Sequence, residues 1–244
     1  LSRTVNIRDN MGFVTPWTAT DDASWLTVTA SGNSGGSLVI TANAAGLSDG
    51  LHLATVTIQS NVATVEGPER IRVGLWVSSA APPSTQGLVT GVLDLFNSIK
   101  SDPIRPYVYT HQTNQGLTTS IRTFNVYTGA EVLSPITGVP ATTLDLSVST
   151  DGSTLFALDR EGELIARVNL DTRLVEGTFP APRTNFSSTS DQVGYARPNG
   201  VGVLLTNGGS AYLAGDTSLA TAGTPVGLGL FTYFDITDDQ RYAF

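Results

Sequence analysis

Few side chains in this sequence have the type and spacing that catalysis needs. The 244 residues include no cysteine, which excludes thiolate nucleophiles, disulfides and cysteine-ligated metal centres. The two histidines, His52 and His111, belong to no nucleophile–base motif such as Gly-x-Ser-x-Gly. His52 falls in a predicted strand and His111 just after one, so we interpret both as surface or hydrogen-bonded structural residues. We expect no catalytic residue.

Two pairs of adjacent acids, Asp21-Asp22 and Asp238-Asp239, have oxygen ligands that suit calcium. Adjacent acids at turns are usually turn formers, so we predict no metal site. The glycine-rich segment Asn207-Gly208-Gly209 lies between predicted strands with no helix after it. It is therefore interpreted as a hairpin turn and not as a phosphate-binding loop. No cofactor is expected.

The composition is that of a folded, acidic protein. Hydrophobic residues make up 40% and charged residues 14% of the chain, its net charge is -8 and Lys100 is its only lysine. Nucleic-acid binding needs clustered lysine and arginine, so we expect no nucleic-acid partner. No apolar run reaches about 18 residues, which predicts no membrane-spanning helix. Abundant Thr, Ser, Gly and Asn with little Lys and Glu predict an extracytoplasmic location: secreted, periplasmic or on the cell surface.

Short segments of alternating polarity, separated by turn residues, fill the first third of the chain. This pattern predicts antiparallel strands that each bury one face. The predicted strands are residues 24–29, 37–41, 51–59 and 70–78. Their spacing predicts a small β-sandwich over residues 1–78.

The same residues resemble the BACON domains. The resemblance rests on Trp17, a Ser-Trp-Leu-Thr-Val strand at 24–28, and a glycine-rich turn with its strand at 35–41. Gly46-Leu47 before the strand at 54–58, and a closing strand at 71–75, extend it. It implies an immunoglobulin-like sandwich and an association with carbohydrate.

The three tryptophans of this region have different expected roles. Trp17 and Trp25 could act as sugar-stacking platforms, but we predict that they fill the core. Trp76 shares a strand face with Arg70 and Arg72, opposite the apolar face of the same strand. It should point outward, so these three residues are the candidate ligand-binding site. The alternative that Trp76 packs on a neighbouring domain stays open.

A proline-containing linker at residues 79–87 precedes a repeated pattern. Beyond it, two kinds of turn signal recur in phase, each at intervals of about 40 to 50 residues. This period predicts β-propeller blades of four strands. The first turn signal comes shortly before a short apolar strand, and it occurs at residues 102–103, 151–152, 199–200 and 239–240. The second comes directly after a strand, and it occurs at residues 128–129, 171–172 and 216–217.

The repeats resemble YVTN-type propeller repeats, most clearly at residues 144–159 and 162–172. The all-β fold class predicted here is thus an immunoglobulin-like β-sandwich followed by a partial β-propeller. About three blades fit into residues 88–244, whereas propellers close with four to eight. We therefore expect the chain to be part of a longer polypeptide, or to complete its ring with another chain.

The expected function is that of a non-catalytic secreted or cell-surface module for binding or assembly. Its expected partners are a protein or a glycan, or further copies of the chain that pair through an open blade edge. The alternative is a propeller enzyme, either hydrolase or lactonase-like or an oxidoreductase subunit, with its active residues on blades outside this chain.

Overall fold

The computed structural model divides the chain into two compact units, Leu1–Ala81 and Pro82–Phe244. It describes residues 1–81, 95–114, 117–159, 164–180, 193–196, 202–206, 211–214 and 219–223. Every regular element in these ranges is a β-strand. The described part is thus all-β and built from several small antiparallel sheets, as the alternating patterns predict.

Unit 1 consists of two antiparallel sheets. One has the strand order β1-β5-β3 and the other β4-β2-β6-β7. The strands are β1 (Ser2–Asn6), β2 (Pro16–Asp21), β3 (Leu26–Val28), β4 (Ser31–Asn33), β5 (Ser37–Ala42), β6 (Gly50–Gln59) and β7 (Glu69–Val77).

The inner faces of both sheets of unit 1 contribute to one hydrophobic core. Trp17 lies in this core, as predicted, and packs flat over Gly32 of β4. A Cβ on Gly32 would lie 2.5 Å from Cζ2 of Trp17, so only glycine fits there. The buried members of the core are Trp17, Ala19, Leu26, Leu38, Ile40, Ala54, Val56 and Ile58.

The described part of unit 2 contains three four-stranded sheets, each with its strands in chain order. We call them blades 1, 2 and 3. Blade 1 comprises β8 (Leu95–Ser101), β9 (Tyr107–Asn114), β10 (Leu117–Asn125) and β11 (Ile136–Thr137). Blade 2 comprises β12 (Thr143–Val148), β13 (Thr154–Asp159), β14 (Leu164–Asn169) and β15 (Leu174–Pro180). Blade 3 comprises β16 (Val193–Ala196), β17 (Val203–Thr206), β18 (Ala211–Ala214) and β19 (Leu219–Gly223).

Blade 2 is buried on both faces because it lies between the other two. Its first strand, β12, is next to both β8 and β16. Leu155 and Ala157 of β13 belong to a core shared with blade 1, whereas Phe156 and Leu158 belong to a core shared with blade 3. This explains why residues 155–158 are continuously apolar and do not alternate in polarity.

The strands differ from the sequence-based expectation at several points. β1 was not predicted, and β3 is shorter than the predicted strand at 24–29. Of the predicted linker at 79–87, only residues up to Ala81 are described. The turn signals at 199–200, 216–217 and 239–240, the turn at Asn207-Gly208-Gly209 and the acids Asp238-Asp239 lie outside the described residues.

Candidate binding face and buried polar networks

The outer face of the β4-β2-β6-β7 sheet holds the three predicted ligand-binding residues. On β7, Ile71 and Val73 pack against the core of unit 1. Successive side chains of a strand point to opposite faces, so Arg70, Arg72 and Trp76 lie on the outer one. Arg70 is exposed, while Arg72 and Trp76 are half-buried. We call this surface the outer face.

Strand β6, which pairs with β7, contributes the neighbouring side chains of the outer face. Leu51 pairs with Trp76, and Thr55 pairs with Arg72. Between those pairs, Leu53 is opposite Gly74 and keeps 43% of its surface exposed. The outer face therefore has an apolar part around Trp76 and a polar part around the arginines.

Strand β2 completes the polar part of the outer face. Thr20 of β2 pairs with Thr57 of β6, which in turn pairs with Arg70. Oδ1 of Asp22 accepts a hydrogen bond of 2.7 Å from the backbone N–H of Thr55. The face thus carries hydroxyls and two guanidinium groups, and its Asp22 carboxylate bonds to the backbone.

His52 and Trp25 have structural contacts with each other at the edge of the unit 1 core. Their rings meet edge to face with centroids 6.4 Å apart. Nε2 of His52 lies 2.8 Å from the backbone oxygen of Ser48. Trp25 is half-buried and packs against the core, close to its predicted role. Within the described ranges, no group of three or more potential metal ligands is found, and this includes the surroundings of Asp21 and Asp22.

A buried ion-pair network joins blades 1 and 2. Asp102 follows β8 and accepts bonds from the backbone N–H of Ile104 (2.8 Å) and Arg105 (2.9 Å), from Nη1 of Arg105 (2.9 Å) and from the hydroxyl of Tyr109 (2.6 Å). Arg105 also donates to the backbone oxygen of Gly152 at 2.7 Å and pairs with Asp171, both in blade 2. Burial and the Asp102 carboxylate raise the pKa of Tyr109. Arg105 thus connects the two blades, and Asp102 holds its guanidinium group in place.

The first strands of consecutive blades are linked by side chains that accept backbone hydrogen bonds. Ser98 of β8 accepts from the N–H of Leu146 in β12 at 3.3 Å. Asp145 and Ser147 of β12 accept from Val193 and Tyr195 of β16 at 3.0 and 2.9 Å. Each bond spans 48 residues, close to the length of one repeat.

His111 departs from the sequence-based expectation. It lies within β9 and is completely buried, whereas we expected it after a strand and at the surface or hydrogen-bonded. Neither ring nitrogen has a hydrogen-bond partner among the described residues. Burial lowers the pKa of His111, and the carboxylate of Asp159 in blade 2 opposes this shift. Asp159 itself accepts a hydrogen bond from the Thr142 hydroxyl.

Sequence reasoning did not identify these two buried polar groups. One signal was available for the first: Asp102 and Arg105 occupy the turn that recurs in each repeat, and a charged pair there is unusual among apolar strands. For His111, the available signal is its position in the repeat. The pairs Ser101–Val108 and Val148–Leu155 align the first hairpins of blades 1 and 2. In this alignment, His111 occupies the position that the core residue Leu158 has in blade 2.

Comparison with known proteins identifies the fold of part of the chain. Neither a family model nor a curated protein matches the sequence. Among solved structures, the Dos1 propeller is 9% identical with a TM-score of 0.50, and the match covers 77% of this chain and 47% of that one.

Two further solved structures have lower TM-scores. The RRP9 WD40 repeats are 16% identical (TM-score 0.41, covering 54% of this chain and 39% of that one). The dihydro-heme d1 dehydrogenase NirN in complex with DHE is 17% identical (TM-score 0.42, covering 78% and 36%). The chain spans less than half the length of these structures. The likeness to the Dos1 propeller supports propeller repeats and shows the fold alone.

Proposed function

We propose that this chain is a non-catalytic binding module that acts outside the cytoplasm, and that the outer face of unit 1 is its ligand-binding surface. The observation that carries the proposal is the position of Trp76. It is a half-buried tryptophan on an outward sheet face, beside the exposed Leu53 and on the same face as Arg70. The aromatic plane suits the apolar face of one sugar ring, and the polar part of the same face suits the hydroxyls of further rings along a glycan.

One feature of each unit supports the finer assignment. In unit 1 the feature is the arrangement of the two sheets. These sheets share one core, which is the arrangement that an immunoglobulin-like sandwich of the BACON type requires. In unit 2, each blade follows the strand order that YVTN-type repeats need. The proposed location outside the cytoplasm rests on composition: Thr, Ser, Gly and Asn are abundant, and Lys100 is the only lysine.

The buried charged groups in the described part of unit 2 favour a binding role over a catalytic one. The carboxylates and guanidinium groups at the junction of blades 1 and 2 bond to each other or to backbone groups. Asp145 is likewise engaged with Ser98 and Val193. These groups hold the repeats together. A protein ligand, and self-association through a blade edge, are the other versions of the proposal.

Retention of the full chain on a glycan array tests the glycan version. Trp76→Ala should abolish retention, because it removes the stacking plane, and Trp76→Phe should retain part of it. The matched control is Val39→Ala, which shortens an exposed apolar side chain on the other sheet. Far-UV circular dichroism and the thermal midpoint verify folding.

Other outcomes of this experiment would reject the glycan version. Unchanged retention of Trp76→Ala excludes the outer face as the glycan site. A lower thermal midpoint together with unchanged retention identifies Trp76 as a structural contact. If no glycan retains the wild-type chain, a protein ligand becomes the version to test.

A further inference from the structure

We propose that a loop at one end of unit 1 inserts into the surface of a lipid bilayer. Between β1 and β2, Met11, Phe13 and Val14 expose 78%, 68% and 79% of their surfaces. Three large apolar side chains within four consecutive residues form a patch of the kind that marks an interaction site. We call residues 11–14 the apolar tip.

The backbone of the apolar tip is held by hydrogen bonds from within unit 1. The Asp9 carboxylate accepts from the N–H of Met11 at 2.8 Å and of Phe13 at 3.4 Å, and from the Thr15 hydroxyl at 2.6 Å. The N–H of Gly12, at φ +79°, donates to the backbone oxygen of Asp9 at 3.1 Å. The tip is therefore a defined turn and not a loose segment.

Ser34 secures the other side of the turn. Its hydroxyl donates to the backbone oxygen of Phe13 at 2.5 Å and accepts from the N–H of Thr15 at 2.8 Å. A backbone that enters hydrocarbon must satisfy its polar groups internally, because no water is there to do so. The amides of Met11, Gly12 and Phe13 meet this requirement, while the side chains beside them remain exposed.

The apolar tip and the end of β7, the last strand of unit 1, lie at opposite ends of the unit, as the strand register shows. Thr18 of β2 pairs with Gln59, the last residue of β6, and Ser60 donates to the backbone oxygen of Pro16. Val77, where β7 ends, pairs with Gly50 at the start of β6. The tip and the end of β7 therefore lie at opposite ends of β6.

Area and charge favour a bilayer over a protein partner. Complete burial of three such side chains removes about 500 Å², whereas a stable protein interface needs roughly 800 Å² from each partner. Near the tip, Arg8 is exposed, and the loop between β6 and β7 adds the exposed residues Val65 and Glu66. The single positive charge of Arg8 is outnumbered by the carboxylates of Asp9 and Glu66, so apolar insertion and not attraction to anionic lipid must drive binding.

Co-sedimentation of the full chain with phosphatidylcholine vesicles tests this proposal. Binding should be equal within about twofold when phosphatidylglycerol or 0.5 M NaCl is added, since charges exposed to solvent are screened. The double substitution Met11→Ser and Phe13→Ser should weaken binding at least about tenfold, because each buried methylene contributes about 0.8 kcal/mol. Val39→Ser is the matched control, and it should bind like the wild type.

Two further variants test the geometry. In Phe13→Trp, the new indole should shift its emission to the blue on vesicles and be quenched by lipids brominated near the headgroup. Asp9→Ala releases the turn while all three apolar side chains remain, so it should also weaken binding. Trp76→Ala should leave vesicle binding unchanged, which keeps this proposal separate from the glycan site.

Several results would overturn the proposal. These are no sedimentation of the wild type with phosphatidylcholine, undiminished binding of a folded double variant, or binding that depends on anionic lipid. A concentration-dependent dimer of the wild type, absent in the double variant by analytical ultracentrifugation, would instead identify the tip as a contact between copies.

Discussion

Replacing His111 with leucine should stabilise the blades and remove part of their sensitivity to acid. The imidazole is completely buried between blades 1 and 2, and both of its nitrogens lack a partner among the described residues. The corresponding position of blade 2 holds Leu158, so this environment accepts leucine. A buried polar atom without a partner costs about 1–3 kcal/mol. We expect His111→Leu to raise the free energy of unfolding by a similar amount at pH 8.

The pH dependence follows from the lowered pKa of His111, which burial causes. As the pH falls below about 6.5, the unfolded chain binds a proton at this histidine and the folded chain does not. Wild-type stability should therefore fall, by up to about 1.4 kcal/mol per pH unit, until the lowered folded-state pKa is reached. His111→Leu lacks this loss, so its advantage over the wild type should grow by roughly 1 kcal/mol between pH 7 and pH 5.5.

Urea denaturation of the full chain at pH 5.5, 6, 7 and 8 measures this difference. Other titrating groups affect wild type and variant alike, so only the difference between their curves is informative. The converse variant, Leu158→His, introduces a histidine between blades 2 and 3 and should lose stability as the pH falls. Curves of wild type and His111→Leu that stay parallel across this range would refute the reasoning.

Two other substitutions test the contacts that hold each unit together. Asp102→Asn should cost the blades about 3 kcal/mol, because it leaves the buried Arg105 without its main carboxylate. The control Glu131→Gln, at the more exposed pair with Arg122, should cost less than about 1 kcal/mol in the same urea titration. Gly32→Ala should lower the thermal midpoint of unit 1, since its Cβ would overlap Trp17 at a cost of about 1–3 kcal/mol. An unchanged midpoint would show that Trp17 can move.

The sequence predicts the sheets of this protein better than their edges. Apolar alternation marks β5, β6 and β7 because each strand has one buried face. β1 has no such alternation and was not predicted, because four of its five residues are exposed and only Val5 packs against the core. Its place is determined by backbone pairing with β5, and pairing leaves no trace in the polarity of side chains.

The candidate sites also differ in whether local alternation predicts them or distant residues form them. The outward position of Trp76 follows from alternation along one strand, which can be counted in the sequence. The network of Asp102 and Arg105 depends on groups of the next blade, Gly152 and Asp171, so sequence-local reasoning could not assemble it. The sequence does not reveal the apolar tip, because Met11, Phe13 and Val14 are of the types that fill cores, and their exposure depends on the fold.

The hydrogen bonds between first strands make the order of the blades directional. In the bonds to a backbone N–H, the earlier blade provides a specific side chain, as Ser147 does, and the later blade provides the peptide N–H, as Tyr195 does. The Ser98 hydroxyl also donates to the Asp145 carboxylate of the next blade. Any residue but proline can supply the peptide N–H. During synthesis, the acceptor leaves the ribosome before the strand that it will bind. The acceptor side chains of each repeat therefore help to position the first strand of the next repeat. A substitution of such an acceptor should destabilise the following blade first.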